Sequence, residues 1–150
     1  MKTEIMPDEW ASCAPGDRLV LVYGTLRKGG CNDINRLTPA PVFRGMATVL
    51  GRLFDLGPYP GLLLARTPEE GGGVVCGEVY AIDAALEQQL DVIEEIQGLP
   101  DDEYFRRRIS VNVGGRACSC LVYEVNPQRA QGYPLIDHGD WIKHVGRART

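Results

Sequence analysis

The sequence predicts a small α+β domain, in which a mixed, barrel-like β-sheet is flanked by one main helix. Several short segments have the apolar or alternating pattern of strands, and only one segment has a clear helical period. The chain has 18 glycines and 10 prolines among 150 residues, above the usual share of about 12%. This content indicates many turns between short elements, and the length fits a single domain.

The first half of the chain predicts strands. Residues 18–24 (RLVLVYG) form a continuous apolar run that Gly24 ends, which is typical of a buried central strand. Residues 42–56 predict two strand segments joined at a bend or bulge, because Gly45 and Gly51 interrupt a β-forming run. Two shorter strands are predicted at 62–65 and 74–82.

Residues 83–96 form the one segment with a convincing helical pattern. Asp83 suits the N-cap, and Gly98 with Pro100 ends the helix. Apolar residues recur at i, i+4 and i+7 and predict the buried face: Leu86, Leu90 and Ile93.

The second half predicts a hairpin. Residues 104–113 and 117–125 alternate, and Gly114-Gly115 forms a two-residue turn between them. A loop over 126–139 and a helical turn over 140–146 complete the domain.

Composition limits the compartment and the partners. Residues 1–17 predict a loose N-terminal arm before a single domain at 18–150. The net charge of −4 argues against a nucleic-acid partner. We expect no membrane span or signal peptide. Five scattered cysteines without a C-x-x-C pair favour a cytoplasmic location.

The end of the first apolar strand is a candidate anion site. Tyr23-Gly24-Thr25-Leu26 follows that strand, and a glycine there lets successive N–H groups turn toward one point, as in carboxylate-binding nests. Arg27 and Lys28 raise the local positive potential. The alternative is that Gly24 only ends the strand.

Glu94 is a candidate proton shuttle. At 100° per residue it lies about 75° from the centre of the apolar stripe, nearer the core than the other carboxylates of the helix. A partly desolvated Glu has a raised pKa and can transfer protons near neutral pH. The alternative is a boundary residue whose carboxylate stays in water. The other three carboxylates predict a solvated face: Glu87, Asp91 and Glu95.

Other polar groups favour structural roles. His138 and His144 lack further ligands at metal spacing, and Cys118 with Cys120 predicts packed core thiols. Arg106, Arg107 and Arg108 alternate across a strand and are expected to protect its edge from aggregation. We therefore expect no metal site.

The sequence resembles the γ-glutamylcyclotransferase-like family, which includes γ-glutamyl and γ-glutamylamine cyclotransferases. Together the matching segments span about residues 19–125. They are 22–27 (VYGTLR), 51–57 (GRLFDLG) with 59–61 (YPG), 75–80 (VCGEVY), and 90–94 (LDVIE) followed by 104–107 (YFRR).

The resemblance implies an enzyme that releases 5-oxoproline and an amine or amino acid from a γ-glutamyl compound, without a cofactor. It implies that Glu94 is the general acid/base, and that substrate is bound by the backbone of Tyr23, Gly24, Thr25 and Leu26. The family commonly has Gly where this chain has Glu95, which bears on substrate choice.

The same resemblance leaves a second function open, namely a non-catalytic protein of this fold that binds a small carboxylate or another protein. Tyr59, Tyr104 and Tyr123 are candidates for the cavity wall. The pattern indicates neither the amine carried by the substrate nor the oligomeric state.

Overall fold

The computed structural model describes residues 5–6, 18–67, 70 and 72–148. Its strands are β1 (Ile5–Met6), β2 (Arg18–Val22), β3 (Val42–Asp55), β4 (Pro60–Leu64), β5 (Gly73–Ile82), β6 (Tyr104–Val113) and β7 (Arg116–Val125). Its helices are α1 (Ala84–Ile93), α2 (Pro127–Ala130), α3 (Trp141–Ala148) and a 3-10 helix (Ile34–Arg36).

The strands form one mixed sheet in the order β1-β6-β7-β2-β5-β3-β4. β2 lies in the middle, parallel to β7 and antiparallel to β5. The remaining neighbours pair antiparallel, including the β6–β7 hairpin. A sheet with both senses of pairing is what the sequence predicts.

The sheet curls until β4 approaches β7. The main-chain N–H of Leu64 donates to the buried Glu124 carboxylate of β7 at 2.9 Å. The Tyr104 hydroxyl of β6 donates to the carbonyl of Pro60 at 2.6 Å. Side chains rather than a strand ladder therefore join β4 to the other end of the sheet, which gives the predicted barrel-like architecture.

Each face of the sheet supports its own core. Leu19 and Leu21 belong to the core that also contains Trp141 of α3. Val20 and Val22 point to the opposite core, where the helix α1 packs through Leu86 and Leu90. Because side chains alternate along a strand, the continuous apolar run of β2 means that both faces are covered.

Most predicted elements are confirmed, with small changes at their ends. Residues 42–55 form one long strand instead of two, and its register shifts between Phe43 and Gly45. The turn glycines Gly114 and Gly115 have φ of 58° and 85°, the conformation that a two-residue hairpin requires. The helix α1 ends at Ile93 rather than at residue 96.

The prediction that Arg106, Arg107 and Arg108 protect a strand edge is wrong. Arg108 is buried, Arg106 pairs with carboxylates of α1, and Arg107 Nε donates to Glu124 at 3.0 Å. β6 also pairs with β1 at Arg108 and Ile109, and with β7 along its whole length. Strand alternation alone does not reveal these partners, which come from other elements.

The solvated face predicted for α1 is also partly wrong. Glu87 is buried, and its two oxygens accept hydrogen bonds from Arg18 at 2.8 Å and Arg106 at 2.7 Å. Ile93, which the pattern places in the core, is 37% exposed because the helix ends there. A helical wheel has no information on which strands cover its flanks.

The N-terminal arm falls mostly outside the described residues. Ile5 and Met6 pair with Ile109 and Arg108 of β6. The boundary between an arm and a domain at residue 17 stays a prediction.

Candidate functional site

A cavity of about 90 Å³ opens between the end of β2 and the end of α1. Three parts of the chain form most of its wall: residues 21–26, residues 93–95, and Tyr59 with Pro60. Glu103, Tyr104, Tyr123 and Asn32 complete it. All five residues that the sequence singles out for substrate binding and catalysis line this one cavity: Tyr23, Gly24, Thr25, Leu26 and Glu94.

The turn after β2 is built by its own main chain. Arg27 N–H donates to the Gly24 carbonyl at 3.0 Å, and Asn32 N–H donates to the Thr25 carbonyl at 3.0 Å. The N–H groups of Gly24, Thr25 and Leu26 make none of the hydrogen bonds found among the described residues. They are therefore available to an anionic ligand.

Gly24 is required by close packing. A Cβ at this position would lie 2.6 Å from Cγ of Pro60, which is well inside van der Waals contact. The glycine lets the turn approach β4, and the residues of the turn line the cavity.

A buried ion network holds the turn in place. Arg27 Nε donates to Glu78 at 2.8 Å, and Arg27 Nη1 donates to Asp140 at 2.8 Å. Glu78 also accepts from the main-chain N–H of Lys28 at 2.9 Å and from the Tyr80 hydroxyl at 2.8 Å. Arg27 thus anchors the turn to β5 and to the segment that begins α3.

Glu94 lies directly after the last turn of α1. Its N–H donates to the Leu90 carbonyl at 2.9 Å, while its carboxylate makes no hydrogen bond with any described residue. Burial is the main cause that raises the pKa of Glu94 to about 7, and the nearby charges of Glu103 and Glu95 add to it. A carboxyl with this proton affinity exchanges protons readily near neutral pH.

Glu95 occupies an unusual backbone conformation. Its φ of 55° is left-handed, which favours glycine, and it is the one non-glycine residue with positive φ in the described part of the chain. Its N–H donates to the Val92 carbonyl at 3.0 Å and closes the helix. The side chain is exposed, as the wheel predicts, and also borders the cavity.

Three tyrosine hydroxyls of the cavity wall are engaged in hydrogen bonds with the protein. The Tyr23 hydroxyl donates to the Tyr123 carbonyl at 2.7 Å and accepts from Leu62 N–H at 3.1 Å. The Tyr123 hydroxyl donates to Asp91 at 2.7 Å, and Tyr104 donates to Pro60. Burial is the main cause that raises the pKa of Tyr23, Tyr104 and Tyr123, so these rings stay neutral.

Sequence reasoning missed Glu103 as a residue of the site. Tyr59 donates its hydroxyl to both oxygens of Glu103, at 2.8 and 2.9 Å. Glu103 precedes β6, and no local pattern marks it, because only the curling of the sheet brings it to the cavity.

The residues considered for a metal lie elsewhere. His144 Nε2 is 2.9 Å from Asp55 Oδ2, and the centre of its ring lies 6.1 Å from that of His138, with the two rings tilted by 47°. Within the described ranges, no group of three or more His, Cys, Asp or Glu side chains is arranged to hold a metal ion. No helix in the same ranges is long and apolar enough to cross a membrane.

Comparisons with known proteins match the part of the chain that forms this site. The profile of the family described as "Gamma-glutamyl cyclotransferase, AIG2-like" matches residues 20–143. The "Gamma-glutamylcyclotransferase family protein YtfP" of Escherichia coli K12 is 33% identical over 123 residues, which cover 82% of this chain and 95% of that protein.

Solved structures share the fold. An AIG2-like protein from Mus musculus superposes with a TM-score of 0.65 at 25% identity, over 83% of this chain and 94% of the mouse chain. YkqA from Bacillus subtilis superposes with a TM-score of 0.67 at 26% identity, over 89% of this chain and 42% of YkqA.

Proposed function

Because the chain belongs to the AIG2-like γ-glutamyl cyclotransferase family, we propose that it cleaves a γ-glutamyl amide and releases 5-oxoproline and an amine or amino acid. One observation carries this proposal. The half-buried Glu94 and the turn residues Gly24, Thr25 and Leu26, whose N–H groups have no partner among the described residues, line the same cavity. A proton shuttle and an anion-binding turn are the two parts that this reaction requires.

The turn after β2 binds the α-carboxylate of the γ-glutamyl group. Its main-chain N–H groups supply the donors, and Arg27, which is paired with Glu78 and Asp140, holds the turn in place. The α-ammonium group then lies toward Glu94 across the cavity. This orientation brings the α-nitrogen near the side-chain carbonyl that it attacks.

Glu94 removes a proton from the α-ammonium group. The freed nitrogen attacks the γ-carbonyl carbon, so that a new C–N bond closes the five-membered ring. The ring nitrogen loses a second proton, the amide C–N bond breaks, and the departing nitrogen takes up both protons, with Glu94 as carrier. Neither water nor a cofactor is consumed.

Positioning supplies much of the acceleration. The nucleophile belongs to the same molecule as the carbonyl, and well-aligned intramolecular attack lowers the barrier by about 7–11 kcal/mol. Proton transfer through Glu94 contributes about 10²–10⁴-fold more.

The Glu94→Gln variant tests the proposal directly. We expect kcat for 5-oxoproline release to fall by at least about 10²-fold, because the amide cannot carry a proton. Product release is measured across γ-glutamyl amides of amino acids, peptides and amines. Glu70→Gln, an exposed position outside the cavity, is the matched change in net charge and should turn over like the wild type.

Two outcomes contradict the proposal. Undiminished turnover by Glu94→Gln removes Glu94 from the chemistry. A wild-type protein that binds γ-glutamyl compounds in calorimetry but releases no 5-oxoproline from any of them is instead a non-catalytic carboxylate-binding protein.

A further inference from the structure

The last turn of α1, which Glu94 follows directly, has little apolar packing. Leu90 is buried, but Val92 is 76% exposed and Ile93 is 37% exposed. The carboxylate of Glu94 makes no hydrogen bond with any described residue, so no polar contact of its own fixes it. The position of Glu94 therefore depends on the contacts that hold this last turn on the sheet.

Asp91 is the polar anchor of that turn. Its Oδ1 accepts hydrogen bonds from the Tyr123 hydroxyl at 2.7 Å and from Arg106 Nη1 at 2.8 Å, and its Oδ2 lies 3.0 Å from the same Nη1. Tyr123 and Arg106 are neighbours across the β6–β7 hairpin, so two adjacent strands contact one carboxylate. The Asp91 carbonyl also accepts from the Ile96 N–H at 2.9 Å, which connects the chain after Glu94 to the same residue.

Arg106 extends this anchor along the helix. Its Nη2 donates to Glu87 at 2.7 Å, one turn before Asp91, and Glu87 also accepts from Arg18 at 2.8 Å. The side chains of Arg106 and Asp91 are 18% and 31% exposed, so the pair is partly shielded from water. A planar guanidinium bridges two carboxylates in a fixed geometry, which a lysine with a single nitrogen does not reproduce.

The anchor lies directly behind the cavity. Tyr123 lines the cavity, whereas neither Asp91 nor Arg106 borders it. Burial is the main cause that raises the pKa of Tyr123, and the charge of Glu94 adds to it, so these two side chains lie close together. Asp91 and Arg106 thus reach the cavity only through the residues that they hold.

We propose that Asp91 and Arg106 are positioning residues for Glu94, because they hold the last turn of α1 against Tyr123 and so fix the carboxylate at the cavity. The consequence for turnover rests on the proposed function. The position of Glu94 is measurable without turnover.

Asp91→Asn and Arg106→Gln test the inference with opposite changes of charge. Each breaks the Asp91–Arg106 ion pair, and we expect kcat for 5-oxoproline release to fall by about tenfold, because a small displacement of a reacting group has an effect of this size or larger. KM should change less, since the turn after β2 keeps its own contact between Arg27 and Glu78. Asp137→Asn, at an exposed residue outside the cavity, should keep the wild-type kcat.

The acidic limb of kcat/KM gives a readout that a merely stabilising ion pair would not change. Burial is the main cause that raises the pKa of Glu94 to about 7, so a loosened turn that exposes the carboxylate should move the limb to lower pH in both variants. A simple effect of charge would instead move it to lower pH for Asp91→Asn and to higher pH for Arg106→Gln. The titratable groups that interact with Glu94 from the other parts of the wall are the same in both variants: Glu95, Glu103, Tyr23, Tyr104 and Tyr123.

Arg106→Lys is the milder variant. It keeps the positive charge but not the bridge between Glu87 and Asp91, so it should move the limb in the same direction by a smaller amount. Urea unfolding shows whether each variant is folded, and Arg106→Lys takes the place of a stronger variant that is not.

Titration of Glu94 itself separates this inference from the proposed function. NMR of protein with isotope-labelled glutamate follows its carboxyl carbon against pH, and Glu94→Gln identifies the signal. A lower midpoint in both variants supports the inference even if the wild type releases no 5-oxoproline, in which case only the proposed function fails. Midpoints that stay at the wild-type value, or that move in opposite directions, overturn the inference and leave a working cyclotransferase in place.

Discussion

Glu94 has its unusual proton affinity because of where one helix ends. The residue is half-buried near two other carboxylates, and it follows the last turn of α1, where the helix dipole also disfavours negative charge. The pKa of about 7 replaces an ordinary value of 4.5. The same environment that suits proton transfer therefore opposes ionisation in the folded protein.

This leads to a prediction on pH dependence. Since Glu94 acts first as a base, kcat/KM should rise as the pH increases through about 7, the pKa of this residue, and then level off until another group titrates. The profile of 5-oxoproline release against pH checks this. An acidic limb near pH 4.5 would show that the base titrates at an ordinary carboxyl pKa, which contradicts the raised pKa of Glu94.

Stability should change with pH in the opposite sense. A carboxyl whose pKa is raised on folding does not lower the free energy of unfolding below its unfolded pKa. It lowers that free energy as the pH rises through its folded pKa. Glu94→Gln should therefore raise the free energy of unfolding at pH 8, by at most about 3 kcal/mol. Urea unfolding at pH 8 and pH 4 checks that the gain disappears at the lower pH.

Glu95 gives a second prediction at a single residue. Its φ of 55° is unfavourable for a side chain with a Cβ, so Glu95→Gly should stabilise the protein by about 1 kcal/mol. Glu95→Ala removes the same carboxylate but keeps the Cβ, and it should give no such gain. Equal stability of the two variants in urea unfolding would contradict the backbone explanation.

At the scale of elements, the turn after β2 depends on the strand and helix behind it. Glu78 of β5 and Asp140, just before α3, both accept from Arg27, and all three groups come from distant parts of the sequence. The N–H groups of the turn have their positions because this network fixes Arg27 and Lys28. The position of the turn after β2 therefore depends on contacts with two other parts of the fold.

The Glu78→Gln variant tests this dependence. Loss of one charge from a buried pair should lower the free energy of unfolding by about 3 kcal/mol and raise KM more than it lowers kcat, because the turn loosens while Glu94 is untouched. Asp101→Asn, at an exposed position, should change stability by less than about 0.5 kcal/mol. An unchanged KM would indicate that the network does not support the turn.

At the scale of the whole molecule, closure of the barrel and formation of the site are the same event. β4 is at one end of the sheet order, yet the Tyr23 hydroxyl joins its Leu62 N–H to the Tyr123 carbonyl of β7. This bridge places Tyr59 and Pro60 beside the turn of β2 and so completes the cavity.

Tyr23→Phe measures the contribution of this bridge. Without the hydroxyl, a buried N–H and a buried carbonyl lose a partner, and we expect the free energy of unfolding to fall by about 2 kcal/mol. Tyr133→Phe, at a tyrosine that is 47% exposed, should be neutral. A neutral result for Tyr23→Phe would show that β4 is held by packing alone.

The sequence alone determined most of the strands and helices. It also identified residues in the two main segments of the cavity wall. The continuous apolar run of β2 predicts a strand that is buried on both faces, and the hairpin glycines predict their turn, because these features depend on neighbouring residues only. The helical wheel predicts Glu94 as the carboxylate nearest the core, whereas the structure buries Glu87 further, because Arg18 and Arg106 pair with it.

Only the tertiary structure decided which groups meet across the curled sheet. Glu87 is paired instead of solvated, Arg108 is buried, and Glu103 reaches the cavity, because each depends on strands that are distant in the chain. Local patterns report the period of an element, whereas the partners of a charged side chain depend on long-range packing. The arrangement of charge around Glu94 therefore comes from the fold.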